Sequence, residues 1–157
     1  MRIAAEGLTV RYPGAERPAL DAVSLEVPSG SLYSVLGPNG SGKSSLVRAL
    51  MGVVPAQGGT VVMGDRPTGS WKRRELARSV GVVSQSESIA FPLTVSELVG
   101  MGRYPHVGPL STETEADRQA VRRALEACDI EPLADREVTT LSGGEFQRAR
   151  IARALAQ

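Results

Sequence analysis

Cysteine and histidine are nearly absent from this sequence of 157 residues, which contains one of each, Cys128 and His106. A single cysteine excludes an internal disulfide and fits a reducing compartment. His106 has no Cys or His neighbour in the sequence, so we expect no metal site around it. Cys128 falls on the apolar face of a predicted helix, where a buried core residue is expected.

Long apolar runs and an excess of one charge sign are also missing. No segment approaches the ~18 apolar residues of a membrane span, and the N-terminus lacks the apolar stretch of a secretory signal. The 18 basic and 17 acidic residues leave a net charge of +1. This balance gives no reason to expect a nucleic-acid partner. Any association with a membrane is therefore expected to be indirect, through a partner protein.

Glycine, by contrast, is placed in a pattern typical of phosphate binding. Residues 37–44 read GPNGSGKS and fit the pattern G-x-x-x-x-G-K-[ST]. They lie between a predicted buried parallel strand at 32–36 and a predicted helix at 44–51. Such a turn lets backbone N–H groups point at an anion, while Lys43 reaches the β- and γ-phosphates and the Ser44 hydroxyl can ligate Mg²⁺. The alternative is a glycine-rich turn with an exposed lysine.

A second glycine pair begins the last predicted helix, at residues 142–156. Ser142 and Glu145 have the spacing of a helix capping box, which is the structural interpretation of this segment. Gly143 and Gly144 argue for more, because each glycine in a helix costs roughly 1 kcal/mol relative to alanine. They are explained if the backbone must approach a ligand closely.

The two motifs, in this order, resemble the nucleotide-binding subunits of ATP-binding cassette (ABC) transporters. The resemblance implies ATP and Mg²⁺ as cofactors, with Lys43 and Gln85 as catalytic residues and Ser44 and Gln85 as Mg²⁺ ligands. Tyr12 would stack on the adenine ring, although an aromatic in a strand is usually a packing residue. Gln85, after a predicted strand at 80–83, would be the glutamine of the family's Q-loop, or else a surface residue. The implied nucleotide-binding residues are Tyr12, Gly37, Asn39, Gly40, Ser41, Gly42, Lys43, Ser44, Ser45, Ser142, Gly143, Gly144 and Glu145.

The pattern of elements and the resemblance predict an α/β fold: a P-loop NTPase (RecA-like) core with N-terminal antiparallel strands and an inserted α-helical subdomain, incomplete at the C-terminus. Residues 1–85 form the expected β-rich ATP-binding lobe, and residues 86–157 the helical subdomain with the Ser-Gly-Gly signature helix. Further strands are predicted at 8–12, 24–27 and 60–63. Further helices are predicted at 71–78, 95–101 and 113–128.

The resemblance also implies partners and a location. The signature would contact the γ-phosphate of ATP held by a second nucleotide-binding subunit in a head-to-tail dimer. Transmembrane permease subunits would hold this dimer at the cytoplasmic face of the inner or plasma membrane. Residues 102–106, GRYPH, resemble importers of iron–siderophore complexes, haem or cobalamin. The alternatives are a soluble ABC ATPase of DNA repair or translation, and a non-catalytic nucleotide-binding fragment.

The family's remaining catalytic groups are expected beyond residue 157. The resemblance places an Asp for Mg²⁺, a Glu that polarises water and a γ-phosphate-sensing His in that part of the domain. We therefore expect that this chain alone does not turn over ATP at the rates of the family. The absent strand would also leave apolar edges uncovered, which is an aggregation hazard.

Overall fold

The computed structural model describes residues 1–85, 87, 89, 92–108 and 112–157. They form two compact units, Met1–Trp71 and Lys72–Gln157. The predicted division into lobes after residue 85 stays a prediction. The first unit is a sheet with one helix, and the second is helical.

The sheet of the first unit contains four antiparallel strands in the order β2-β1-β3-β4. Their bounds are β1 Ile3–Val10, β2 Leu20–Val27, β3 Gly58–Met63 and β4 Arg66–Pro67. Ile3 at the start of β1 is opposite Val27 on one side and Met63 on the other. The predicted N-terminal antiparallel strands are therefore confirmed, and each begins earlier than the sequence indicated. Strand β1 ends at Val10, so Tyr12 lies beyond the strand in which it was predicted.

One glycine accounts for an irregularity in this sheet. Gly59 has a φ of +82°, and a Cβ built on it would lie 2.4 Å from the backbone oxygens of both Glu6 and Gly7. The register of β1 against β3 shifts between Glu6 and Thr9. Only a residue without a side chain allows the two backbones to approach so closely there.

Helix α1, Lys43–Leu50, packs on this sheet and closes the core of the first unit. Its inward residues Leu46 and Ala49 are three positions apart and therefore share one helix face. They contribute to a buried cluster with Ala5, Leu8, Val10 and Leu20. The predicted helix after the phosphate-binding pattern is thus confirmed.

The prediction of a buried parallel strand at 32–36 is wrong. This segment is not a strand, and the side chains of Leu32 and Leu36 are 97% and 90% exposed. The predicted strand at 80–83 is also not formed, and Val82 and Val83 are exposed. Within the described ranges, all strand pairs are antiparallel. An apolar strand can be buried in a sheet only when neighbouring strands satisfy its backbone groups, and neither segment has such a neighbour in the described ranges.

The second unit contains the helices α2 Arg73–Ala77, α3 Val95–Gly100, α4 Glu115–Ala127 and α5 Gly143–Ala156. Short 3₁₀ turns at Met101–Arg103, Glu131–Leu133 and Val138–Thr140 connect them. All four predicted helices are confirmed, with slightly shorter bounds. Helices α3, α4 and α5 pack around a core formed by Val95, Leu98, Val99, Val121, Ala124, Leu125, Ile130, Val138, Ala149, Ala152 and Ala156.

Small residues let α5 lie close to its neighbours. Its buried apolar residues are alanines, whereas Ile151 and Leu155 are 38% and 61% exposed. A Cβ at Gly102 would lie 2.2 Å from the backbone oxygen of Arg153, so the turn after α3 needs glycine at that point. Cys128 packs against the core but is half-buried, so it is less enclosed than predicted.

Helix α5, with 14 residues, is the longest in the described ranges, and no helix found there is long and apolar enough to cross a membrane.

Candidate functional site

The predicted phosphate-binding loop turns sharply into α1 at Gly42. This residue has a φ of +88°, and a Cβ on it would lie 2.4 Å from the backbone oxygen of Ala19. Gly40 also has a positive φ, +82°, but faces open space. The loop therefore requires glycine for backbone conformation at both positions and for lack of room at Gly42. Asn39 and Ser41 are exposed on the same turn.

Lys43 is held inside the curve of this loop. Its Nζ donates to the backbone oxygens of Gly37 at 2.8 Å and Pro38 at 2.7 Å, and lies 3.4 Å from Ser41 Oγ. The ammonium group thus lies among loop atoms at the N-terminus of α1, where the helix dipole and unpaired N–H groups favour an anion. The Ser44 side chain is exposed in the first turn of α1. The residues present fit a triphosphate with a bound divalent cation.

Tyr12 lies beside the start of the same helix. Its hydroxyl donates to Ser45 Oγ at 3.3 Å, and its ring packs against the core of the first unit. This hydrogen bond, together with Arg48, lowers the pKa of Tyr12. The first unit therefore brings Tyr12 to Ser45 in the first turn of α1. Stacking of Tyr12 on an adenine ring stays a prediction.

The Ser142–Glu145 turn begins α5 in the second unit. Ser142 Oγ accepts from the Glu145 N–H at 3.4 Å, and Glu145 Oε2 accepts from the Ser142 N–H at 2.7 Å, so the capping box is formed. These hydrogen bonds lower the pKa of Glu145, and Arg136 lies 3.7 Å from its other oxygen. The Glu145 carboxylate is therefore engaged within its own turn.

The glycines of this turn have no packing function within the described part of the chain. A Cβ at Gly143 or Gly144 would meet none of its atoms within 4 Å. Neither glycine has a positive φ. Neither conformation nor contact within the unit therefore requires glycine here, and a role of the bare backbone towards a ligand or partner stays a prediction.

Gln85 is exposed in a bend of the second unit, and residues on both sides of it contact α5. Arg150 donates to the Ser84 backbone oxygen, and Arg153 donates two hydrogen bonds of 2.7 Å to Glu87. These bonds from Arg153, with the charge of Arg150, lower the pKa of Glu87. This ion-pair cluster has no signal in the sequence, because Glu87 and Arg153 are 66 positions apart.

The GRYPH segment, residues 102–106, packs against the end of α5. Arg103 donates to the Ala156 backbone oxygen at 2.6 Å and pairs with Asp117 at 3.0 Å. His106 Nε2 contacts the Gln157 backbone oxygen. A cation close to the last helical carbonyls interacts favourably with the helix dipole. These contacts give the segment a structural role, and its association with a particular cargo stays a prediction.

Comparison with known proteins agrees with these features. The family model described as ABC transporter matches residues 20–157. The hemin import ATP-binding protein HmuV of Streptomyces coelicolor is 43% identical over 98% of this chain and 54% of its own length. The manganese transport system ATP-binding protein MntB of Listeria monocytogenes is 36% identical over 97% of this chain and 61% of its own.

Solved structures give the same assignment. A dimeric bacterial ABC transporter cassette superposes with a TM-score of 0.80 at 29% identity, over 98% of this chain and 69% of that chain. The similarity therefore extends across both units, while the chain spans 54% and 61% of the two curated relatives. This match of nearly the whole chain, together with the loop around Lys43 and the capped Ser-Gly-Gly turn, shows that the chain belongs to the ABC transporter family.

Proposed function

We propose that this chain is the ATP-binding part of the ATPase subunit of an ABC importer. The observation that carries the proposal is the loop folded around Lys43, with Gly42 at a position where no side chain fits. Such a loop exchanges its internal lysine contacts for phosphate oxygens when a nucleotide binds.

Each predicted site residue has a part in this proposal. Gly37, Asn39, Gly40, Ser41 and Gly42 supply the backbone that surrounds the phosphates, Lys43 supplies positive charge, and Tyr12 and Ser45 lie at the adenine side. Ser44 and Gln85 would hold Mg²⁺, which neutralises charge on the phosphates during transfer. Ser142, Gly143, Gly144 and Glu145 would face the nucleotide of a second subunit in a head-to-tail dimer. Hydrolysis is proposed for the family's full-length domain, of which this chain matches only part.

The names of the relatives support transport as the process. Both proteins compared above are described as ATP-binding proteins of import or transport systems, one for hemin and one for manganese. We infer a cargo that is a metal ion or a metal chelate, taken in through transmembrane permease subunits. The chain would then act as a peripheral protein at the cytoplasmic face of the membrane. The relatives do not favour a role in DNA repair or translation.

Nucleotide binding is tested by titrating this chain with a fluorescent ATP analogue. Lys43→Met removes the ammonium group from the loop, and Lys72→Met is a matched control because Lys72 is exposed in the other unit. A charge-assisted hydrogen bond contributes about 1.5–3 kcal/mol, so we expect Lys43→Met to weaken binding about 10- to 100-fold. Lys72→Met should bind like the wild type. Absence of binding by the wild type, or equal binding by Lys43→Met, would contradict the proposal.

A further inference from the structure

Gln85 lies between two residues that are both attached to the signature helix α5. On one side, Arg150 donates to the backbone oxygen of Ser84. On the other side, Arg153 Nη1 and Nη2 each donate to a different oxygen of Glu87 at 2.7 Å. Arg150 Nε also lies 3.3 Å from Glu87 Oε2, which makes Glu87 the shared partner of two guanidinium groups.

The chain leading to Gln85 follows the same helix. The Gln157 side chain donates to the Val80 backbone oxygen at 2.9 Å. A Cβ at Gly81 would lie 2.8 Å from the backbone oxygen of Ala154, so the two backbones approach at a distance that only glycine permits. Residues 80–84 form no strand, and these contacts hold the segment against the end of α5.

Arg150, which contacts the residue before Gln85, is itself buried. The Arg150 side chain is 4% exposed. Besides Ser84 and Glu87, it donates to Gln147 Oε1 at 2.9 Å and lies 5.6 Å from the centre of the Phe146 ring. A buried cation without a carboxylate partner is strongly unfavourable, so the position of Glu87 is coupled to that of Arg150.

We propose that Glu87, Arg150 and Arg153 form an ionic clasp that positions Gln85 for its contact with nucleotide-bound Mg²⁺. The three are positioning residues, because they act through Gln85 and not on the nucleotide. The clasp ties the backbone oxygen of Ser84 and the carboxylate of Glu87 to α5, and so limits the positions that the Gln85 amide oxygen can take. The inference rests on the proposed function, in which Gln85 is a Mg²⁺ ligand.

The experiment measures how much Mg²⁺ strengthens binding of a fluorescent ATP analogue to this chain. Glu87→Gln removes the charge of the clasp and preserves side-chain size. Residues that orient a metal ligand typically contribute 10- to 100-fold to metal affinity, so we expect the Mg²⁺ enhancement to fall about 10-fold. Binding without Mg²⁺ should be unchanged, because the phosphate loop is untouched. Glu115→Gln is the matched control, since it breaks an exposed ion pair with Arg118 at 2.9 Å on α4.

Two further variants separate positioning from general destabilisation. In a Gln85→Ala background, Glu87→Gln should cause no further loss of Mg²⁺ enhancement, because the group that it positions is gone. Arg153→Gln removes the arginine that donates two hydrogen bonds to Glu87, and it leaves Glu87 beside Arg150. This variant tests the clasp if Glu87→Gln does not fold. It should lower the Mg²⁺ enhancement in the same direction.

The outcomes separate this inference from the proposed function. If the wild type shows Mg²⁺-enhanced binding and both clasp variants retain it, the clasp is refuted while the nucleotide site stands. An equal loss on adding Glu87→Gln to wild type and to Gln85→Ala would also refute it, because the effect would not pass through Gln85. If the wild type binds no nucleotide, the proposed function fails and the clasp proposal fails with it.

Discussion

Replacing Gly42 with alanine should destabilise the first unit more than any other glycine change in the phosphate loop. An L-residue with a left-handed backbone costs roughly 1–2 kcal/mol, and Gly42 has a φ of +88°. The new methyl group would also lie 2.4 Å from a backbone oxygen of Ala19, which cannot move away as a flexible side chain could. Overpacking of this kind adds roughly 1–3 kcal/mol. We expect a total loss of about 2–5 kcal/mol in the free energy of unfolding.

Two other glycines serve as controls for the two contributions. Gly40 has a φ of +82° but open space around its Cβ position, so Gly40→Ala should cost only the conformational part, roughly 1–2 kcal/mol. Gly69 has neither a positive φ nor a close neighbour, so Gly69→Ala should be neutral or stabilise by about 0.4–1 kcal/mol.

The assay is urea unfolding followed by the fluorescence of Trp71. This is the single tryptophan of the sequence, and it lies in the same unit, with the Arg66 guanidinium 3.8 Å from its ring centre. Its environment therefore changes when the first unit unfolds. The reasoning would be refuted if Gly42→Ala lost no more stability than Gly40→Ala, since the contact with Ala19 would then contribute nothing.

Three further predictions concern the second unit. Hydrogen bonds from Thr114, with Arg103 beside it, lower the pKa of Asp117 from 3.8 to about 2. The stabilising contribution of ionised Asp117 is therefore present above about pH 4 and lost as the pH falls through 2. The acid-induced loss of helical circular dichroism should be smaller in Asp117→Asn, and an unchanged acid transition would contradict this. Leu98→Ala should cost about 2–5 kcal/mol by leaving a cavity in a fully buried position, whereas Leu155→Ala, at a side chain 61% exposed, should cost about 0.5 kcal/mol or less. Both are measured by urea unfolding followed by helical circular dichroism, which reports on the helices of the second unit, and equal losses would contradict the prediction. Burial raises the pKa of the Cys128 thiol, so a thiol reagent should modify Cys128 more slowly in the native chain than in urea. Equal rates would contradict the packing of Cys128 against the helical core.

The local features of this protein were predictable because contiguous residues encode them. The helix cap at Ser142 follows from a hydroxyl and a glutamate three positions apart, and it is formed. The glycine pattern of the phosphate loop likewise predicted its turn into α1, since the positive φ of Gly40 and Gly42 is a property of the residue type.

The parallel strand predicted at 32–36 and the strand predicted at 80–83 are wrong for the opposite reason. Residues 32–36 and 80–83 have the short apolar runs of buried strands, but a strand exists only when neighbouring strands satisfy its hydrogen bonds. In the described ranges, the sheet has the order β2-β1-β3-β4 and includes neither segment. The apolar runs favour strands locally, but neither segment is hydrogen-bonded to a neighbouring strand in the described ranges.

The sequence by itself determined the family, the nucleotide loop, the capped Ser-Gly-Gly turn and the helices, because each depends on residues within a few positions of one another. Only the tertiary structure revealed that Ser84 and Glu87, on either side of Gln85, are held by Arg150 and Arg153. The physical reason is that such ion pairs and close backbone approaches depend on how α5 packs, and no local pattern encodes the meeting of groups 66 positions apart.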